Sequence, residues 1–297
     1  HSVLSTLLLV LPDAEVALRG RVIAQQARVA RHLGEREAAG RYYEQVELLG
    51  VEHQLPDLIG RAWYGFGLLA HTRGDFPEGR RRFHAVIELE GAASESVGYA
   101  HHQLMVSAAA AGDYDTAAEH GWKAFRGAST AGQETEALLN LAQLLLEAGH
   151  ARAALRGFAA ALARKPILRQ ELPILGGAAC AAAAALPRAA ARALVRNFAD
   201  RGQFIVKALR NGEALAYPSA SALVELSEAL NVVGESERAC EVADHADRLA
   251  SAHGFYQLSY RLENPTLVAE PTPLAPSTQE IIAAVDELEG AELVAVG

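Results

Sequence analysis

The sequence predicts an all-α fold, an array of antiparallel helix pairs. Three observations lead there. Hydrophobic residues make up 51% of the 297-residue chain and aromatics only 6%, with Ala and Leu dominant; both lose little conformational freedom on entering a helix. Short glycine turns break the helical pattern at Leu33-Gly34-Glu35, Arg73-Gly74-Asp75-Phe76, Ala111-Gly112-Asp113-Tyr114 and Ala148-Gly149-His150, with Leu186-Pro187 a fourth step and Val233-Gly234-Glu235 later. The first four glycines stand 40, 38 and 37 residues apart, a spacing that marks repeated helical units. Around these turns the apolar positions keep register. Eleven residues before each glycine stand Ile23, Trp63, His101 and Leu138; eight before, Gln26, Phe66, Leu104 and Leu141; seven before, Ala27, Gly67, Met105 and Ala142. Five residues after stand Ala39, Gly79, Ala117 and Ala154, and nine after, Tyr43, Phe83, Gly121 and Phe158. Rings thus face small residues, as two closely packed helices require.

Each element can be justified in chain order. Residues 1–19 hold the apolar run Val3 to Leu11, too short to span a bilayer and without a signal peptide's basic start; a helix packing on the first repeat is expected. The chain begins at His1, which suggests a processed chain or a piece of a longer protein. Residues 20–198 carry five repeats; in the first four a glycine ends the first helix in the left-handed conformation, in the first three an acidic residue after it favours the next helix, and the fifth turns at Leu186-Pro187. Gly234 lies 47 residues beyond Pro187, so an inserted helix or long loop is expected over 199–218, which includes Phe204-Ile205-Val206 and Asn211-Gly212. A last helical pair fills 219–260. Residues 261–276 contain Pro265, Pro271, Pro273 and Pro276 and read as a linker. In 277–297, Ser277-Thr278-Gln279-Glu280 reads as a capping box before the stripe Ile281, Ile282, Val285 and Leu288, with Glu280, Asp286, Glu287 and Glu289 on the other side. This helix is expected to cap the exposed end of the array; the alternative is a tethered segment that occupies a groove.

Gly65-Phe66-Gly67-Leu68-Leu69-Ala70 matches the G-x-G-x-x-A of a dinucleotide-binding loop. Such a loop follows a strand and opens a helix. Here Leu58 to Tyr64 already continue the helical periodicity, and no acidic residue closes a second strand about twenty positions on. Two glycines within a helix cost about 1 kcal/mol each relative to Ala, and close approach of a neighbouring helix is the expected compensation, above all at Gly67.

These residues resemble the tetratricopeptide repeat family. Trp63, Phe66-Gly67, Gly74, Phe76, Gly79 and Phe83 fit its register, and Leu138, Leu141-Ala142, Gly149, Ala154, Phe158, Ala161 and Pro166 fit it again. The likeness covers roughly residues 20 to 255; a period near 38 rather than the family's 34 implies longer loops between repeats. The resemblance implies a right-handed superhelical solenoid of about six helix pairs. It also implies a concave surface lined by first helices. On that face fall Arg21, Arg28, Arg31 and His32, then Arg61, Tyr64 and His71, then Tyr99, His102 and Gln103. Asn140 and Gln143 come next, then Glu225, Glu228 and Asn231. The groove so read is basic first, amide-rich next and acidic last. Amides can bond a peptide backbone and arginines can clamp a carboxylate, so an extended peptide or protein tail is the expected ligand, its acidic group toward Arg28 and Arg61. Each residue has the alternative of a solvated helix face.

The remaining signals exclude more than they add. Net charge is -9, so no direct nucleic-acid contact through a broad basic face is expected. Cys180 and Cys240 form no C-x-x-C and read as small buried apolar side chains in a reducing compartment. His101 and His102 point about 100° apart on a helix, no H-E-x-x-H occurs, and no P-loop or nucleophile elbow is present; no metal, cofactor or catalytic residue is expected. Arg80-Arg81-Arg82 reads as a solvent-facing run. The expectation is a cytoplasmic, non-enzymatic recognition domain, by resemblance the ligand-sensing and dimerisation part of a bacterial helix-turn-helix transcriptional regulator, with homodimer formation left open. The alternatives are a constitutive adaptor scaffold and, from another class, an enzyme or cofactor binder.

Overall fold

The computed structural model describes residues 2–12, 15–208, 216–264 and 271–290. Among them every regular element is a helix, fifteen in all. They pack mainly on their neighbours in the chain and on the helix two further along, and they gather into two compact units, His1–Asp113 with Lys123–Ser129, and Tyr114–Trp122 with Thr130–Gly297. No described helix is long and apolar enough to cross a membrane.

The first unit holds α1 (Ser2–Val10), α2 (Val16–His32), α3 (Arg36–Glu52), α4 (Pro56–Thr72), α5 (Phe76–Glu88) and α6 (Ser94–Ala110), and α7 (Tyr114–Arg126) is shared between the units. The helix before the first repeat is shorter than expected, because α2 already starts at Val16. Arg19 ties α1 to it, its Nη1 donating to the carbonyls of Leu8 (3.2 Å) and Leu11 (2.9 Å). The second unit continues with α8 (Ala131–Glu147), α9 (Ala151–Ala163), α10 (Leu168–Ala185), α11 (Arg188–Ala208), α12 (Ala216–Val232), α13 (Ser236–His253), α14 (Tyr256–Glu263) and α15 (Pro276–Asp286).

The turn glycines behave as their positions demand. Gly34, Gly74, Gly112, Gly149 and Gly234 all have φ between 76° and 83°. After each, the next N–H reaches back to close the helix: Glu35 to Ala30 O, Asp75 to Ala70 O, Asp113 to Ala108 O, His150 to Leu145 O and Glu235 to Leu230 O, all at 2.8–3.0 Å. That is the bond that satisfies a carbonyl the helix end would otherwise orphan.

The long period has a different source from the one expected. The connections are short; the first helices α2, α4, α6, α8 and α12 are each 17 residues long. The extra residues are helix, not loop. Of the two readings of the 199–218 stretch, helix is the one seen over 199–208, as the end of α11, which runs for 21 residues and buries Ile205 and Val206 while Phe204 stays exposed. Asn211-Gly212 lie outside the described residues.

The cores are built from rings on glycine and alanine. Ala27, Ala39, Phe83, Ala117, Leu138, Ala142, Ala154 and Phe158 have no more than 1% of their surface exposed. In the first unit a Cβ on Gly67 would stand 2.5 Å from Phe83 Cε1, and one on Gly65 would collide with the Tyr43 ring. In the second, a Cβ on Gly177 would collide with Phe158. Cys180 is half-buried and Cys240 exposed, so the expectation of two buried thiols fails at Cys240, which lies on a solvent-facing turn of α13.

The C-terminal helix sits beside the array, on second helices rather than over its end. Residues 271–275 form no regular element, with Thr272 N–H donating to Ala148 O at 2.9 Å and His150 Nε2 2.8 Å from Thr272 O. Pro265 lies outside the described residues. α15 then packs on α9, with Thr278 and Val285 fully buried and Arg156 paired to Asp286 at 2.7 Å. The expected capping box does not form, since the helix opens one residue earlier, at Pro276. Asp115, from the first turn of α7, substitutes for it: its Oδ1 accepts from Ala275 N–H (2.9 Å) and Thr278 Oγ1 (2.5 Å). Asp115→Ala leaves the buried Thr278 hydroxyl without that acceptor, at about 1–3 kcal/mol. Amides of Gln279–Val285 are then expected to exchange with deuterium at least tenfold faster while those of α12 keep their rate.

Candidate functional site

In the first unit, side chains from three successive first helices converge. Tyr64 of α4 stacks on Tyr99 of α6 with centroids 5.8 Å apart and leans on Phe83 at 5.7 Å. Its hydroxyl is pushed up to about 12, first by burial, while Arg31 and a hydrogen bond with Gln103 pull the other way. Arg31 of α2 also hydrogen-bonds Tyr43, whose hydroxyl burial raises. Arg31 Nη2 stands 3.2 Å from His32 Nε2. A guanidinium has only donors, so His32 Nε2 accepts and its proton sits on Nδ1. Burial, then Arg31 and Arg28, lower the His32 pKa and favour that neutral ring. Arg31 Nε is buried with no partner among the described residues. Arg28 is exposed on the next turn. His102 is half-buried, and burial lowers its pKa.

Other expected members are engaged elsewhere. Arg61 donates from Nε to Asp57 Oδ1 at 3.0 Å and from Nη2 to Glu95 Oε2 at 2.9 Å, and Arg21 reaches the other Asp57 oxygen at 3.0 Å. The four side chains form a ladder across the starts of α2, α4 and α6. Arg61, already facing two carboxylates, is not the open clamp its position suggested. His71 is turned into the α4–α5 interface: its ring meets Phe83 edge-on at 5.0 Å and Phe76 at 5.4 Å, and lies over Gly79. Its Nε2 is buried without a partner among the described residues, and burial, then Arg80, lower its pKa.

In the second unit, Asn140 and Gln143 are half-buried on α8, and Gln143 Nε2 is 3.5 Å from Glu147 Oε1. Glu225 and Glu228 of α12 face Arg261 of α14. Arg261 closes its fork on Glu228, at 2.9 and 2.6 Å, and leaves Glu225 at 4.0 Å. The carboxyl of Glu225 is pushed up to about 7, chiefly by burial; Arg261 opposes the shift and Glu228 and Glu147 add to it. Proximity to Arg261 would suggest a lowered value, but the guanidinium is already occupied by Glu228, so burial prevails. Beside Glu225, Cys180 Sγ donates to its backbone carbonyl at 3.3 Å, and burial drives the thiol well up. Asn231 stands apart, exposed at the end of α12, its Oδ1 accepting from Ser236 at 3.4 Å.

Sequence reasoning missed Asp57, Glu95, Tyr43, Glu147 and Arg261. Asp57 lies four residues before Arg61 and was open to helical-spacing rules. Arg261 comes after Gly254, whose φ of 71° ends α13 as the other turn glycines end their helices; a further first helix could have been read there. Gly65 and Gly67 lie inside α4, where their N–H groups belong to the helix and cannot cradle a phosphate. Among the described residues no three His, Cys, Asp or Glu side chains converge as a metal would need. No protein-family model matches the chain, and no curated protein matches it.

Proposed function

We propose that the chain is a tetratricopeptide-type recognition domain, a right-handed superhelix of about six helix pairs that binds an acidic peptide or protein tail on the face of its first helices. The observation that carries this reading is the cluster of Arg31, Tyr64, Tyr99 and Gln103 with a guanidinium Nε that has no acceptor among the described residues. A buried donor without a partner costs about 1–3 kcal/mol, and a ligand carboxylate or carbonyl would relieve it. Rings held against one another offer contact area at low entropy. A role as the ligand-sensing and dimerisation half of a bacterial transcriptional regulator, in the cytoplasm, rests on the resemblance of the sequence; peptide binding would then shift the population of helix-pair arrangements.

The test is selection of peptides from a random display library on the full chain, then titration of the enriched sequences. Acidic peptides are expected, bound at least tenfold more weakly by Arg31→Ala and by Tyr99→Ala, and unchanged by Arg156→Ala on α9. A tenfold loss corresponds to about 1.4 kcal/mol. No enrichment, or enriched peptides indifferent to both substitutions, would sink the reading.

A further inference from the structure

Between α3 and α5 the first unit holds a cleft of about 600 Å³, within the range of small-molecule sites. Its floor is apolar, made by Phe66 and Leu69 of α4. Arg82 of α5 lies over the Phe66 ring at 5.4 Å and is fixed there by Glu78 at 2.8 Å. Glu78 is shared with Arg81 at 2.7 Å, and those two hydrogen bonds hold its carboxyl down at about 2, so it is ionised and already engaged. Three further arginines line the cleft, Arg36, Arg41 and Arg73. All three are exposed. No hydrogen bond or ion pair engages their guanidinium groups among the described residues, and the lining holds two further carboxylates, Glu37 and Glu44. In a chain of net charge -9 this is a locally cationic hollow with an aromatic floor.

Gly40 is part of the lining. It lies inside α3, where glycine costs about 1 kcal/mol relative to Ala. At Gly65 and Gly67 a neighbouring ring fills the space of the missing Cβ; at Gly40 a Cβ would meet nothing within 4 Å. Packing therefore does not account for glycine here, whereas an open cleft does.

We propose that this cleft is a second binding site, separate from the peptide face, for a small organic anion: a carboxylate or phosphate on an aromatic or alkyl body. The body lies on Phe66 and Leu69 below the fixed guanidinium of Arg82. The anionic group is taken by Arg36 and Arg73, whose forks match carboxylate and phosphate oxygens alike.

The experiment is calorimetric titration of the full chain with 2-naphthoate and 2-naphthyl phosphate, against 2-naphthalenemethanol and inorganic phosphate. Both naphthyl anions are expected to bind at least tenfold more tightly than the neutral alcohol or the bare phosphate. Gly40→Leu fills the hollow and should abolish binding while leaving the melting temperature unchanged or higher, since Leu favours the helix. Arg36→Ala with Arg73→Ala should weaken it at least fivefold, and Arg31→Ala should leave it unchanged. The site is overturned if neither anion binds, if the alcohol binds as tightly as naphthoate, or if Gly40→Leu binds naphthoate like the parent chain. Because Arg31 and Tyr99 are not in this cleft, its failure and that of the peptide face are read independently.

Discussion

A Phe83→Ala chain is expected to lose about 3–5 kcal/mol of stability, and Gly67→Leu added on that background to restore part of the loss. Phe83 is completely buried. Its ring fills the space where Gly67 has no side chain, 2.5 Å from where a Cβ would stand, and it supports Tyr64 and His71 as well. Truncation leaves a cavity between α4 and α5 that both backbones are too constrained to close. Leu at position 67 would project into that cavity and gain about 1 kcal/mol of helix propensity over glycine. In the parent chain the same Leu meets the ring and is expected to destabilise by about 1–3 kcal/mol, so its effect changes sign with the residue opposite. Urea unfolding monitored by circular dichroism measures the full cycle. Should Gly67→Leu alone raise the midpoint, propensity would outweigh packing and the ring would not be what keeps glycine at 67. The result also bears on G-x-G-x-x-A: both of its glycines are explained by rings, Tyr43 over Gly65 and Phe83 over Gly67.

The same contacts show what the sequence makes legible. Glycine turns and ring-on-small pairs are local in register: Gly67 and Phe83 lie seven residues before and nine after one turn glycine, so counting from that glycine places them opposite each other. Helix length is less visible, because the 199–208 stretch carries no turn glycine at the repeat spacing to mark where its helix ends; this is why it read as an insertion. Faces fade toward helix ends. His71 shares a face with Tyr64 by spacing, but the last turn of α4 meets the start of α5, and Phe76 and Phe83 draw the ring into that interface. Contacts distant in sequence left no signal. Asp115 caps a helix 163 residues away through Thr278, and nothing periodic relates the two. Arg31, Tyr64, Tyr99 and Gln103 were legible as one face; that Arg31 turns inward to Tyr43 and Tyr64 was not, because a helix spacing fixes where a side chain starts and not where its long stem ends.

Between about pH 5 and 8 one carboxyl, Glu225, should contribute a fall in stability as pH rises, against the opposite contribution of His32, His71 and His102, whose pKa values are lowered in the folded chain. Glu225 is mostly buried, with 12% of its side chain exposed, and its carboxyl is raised to about 7 from an ordinary 4.5. Between those values the folded chain keeps a proton that the unfolded chain has lost. The native state binds more protons, so stability is greatest below the unfolded value and is lost as pH passes through the folded one. The size expected is about 2–3 kcal/mol. Every packed neighbour contributes: Glu147 from α8 and Glu228 from α12 disfavour the charge, Arg261 from α14 favours it, and the Cys180 thiol of α10, driven up by burial, stays neutral through the same range. Glu225→Gln keeps the shape and removes the titrating proton, so the slope of the urea midpoint against pH should become more positive than in the parent chain. Arg261→Met has the opposite outcome. It strips Glu228 of its two bonds and leaves two mostly buried carboxylates side by side, which should cost about 3–5 kcal/mol at pH 8 and less at pH 5, where Glu225 holds its proton. The two substitutions separate burial from pairing. A slope unchanged in Glu225→Gln would mean that this carboxyl is already ionised at pH 5 in the folded chain, with Arg261 rather than burial governing it.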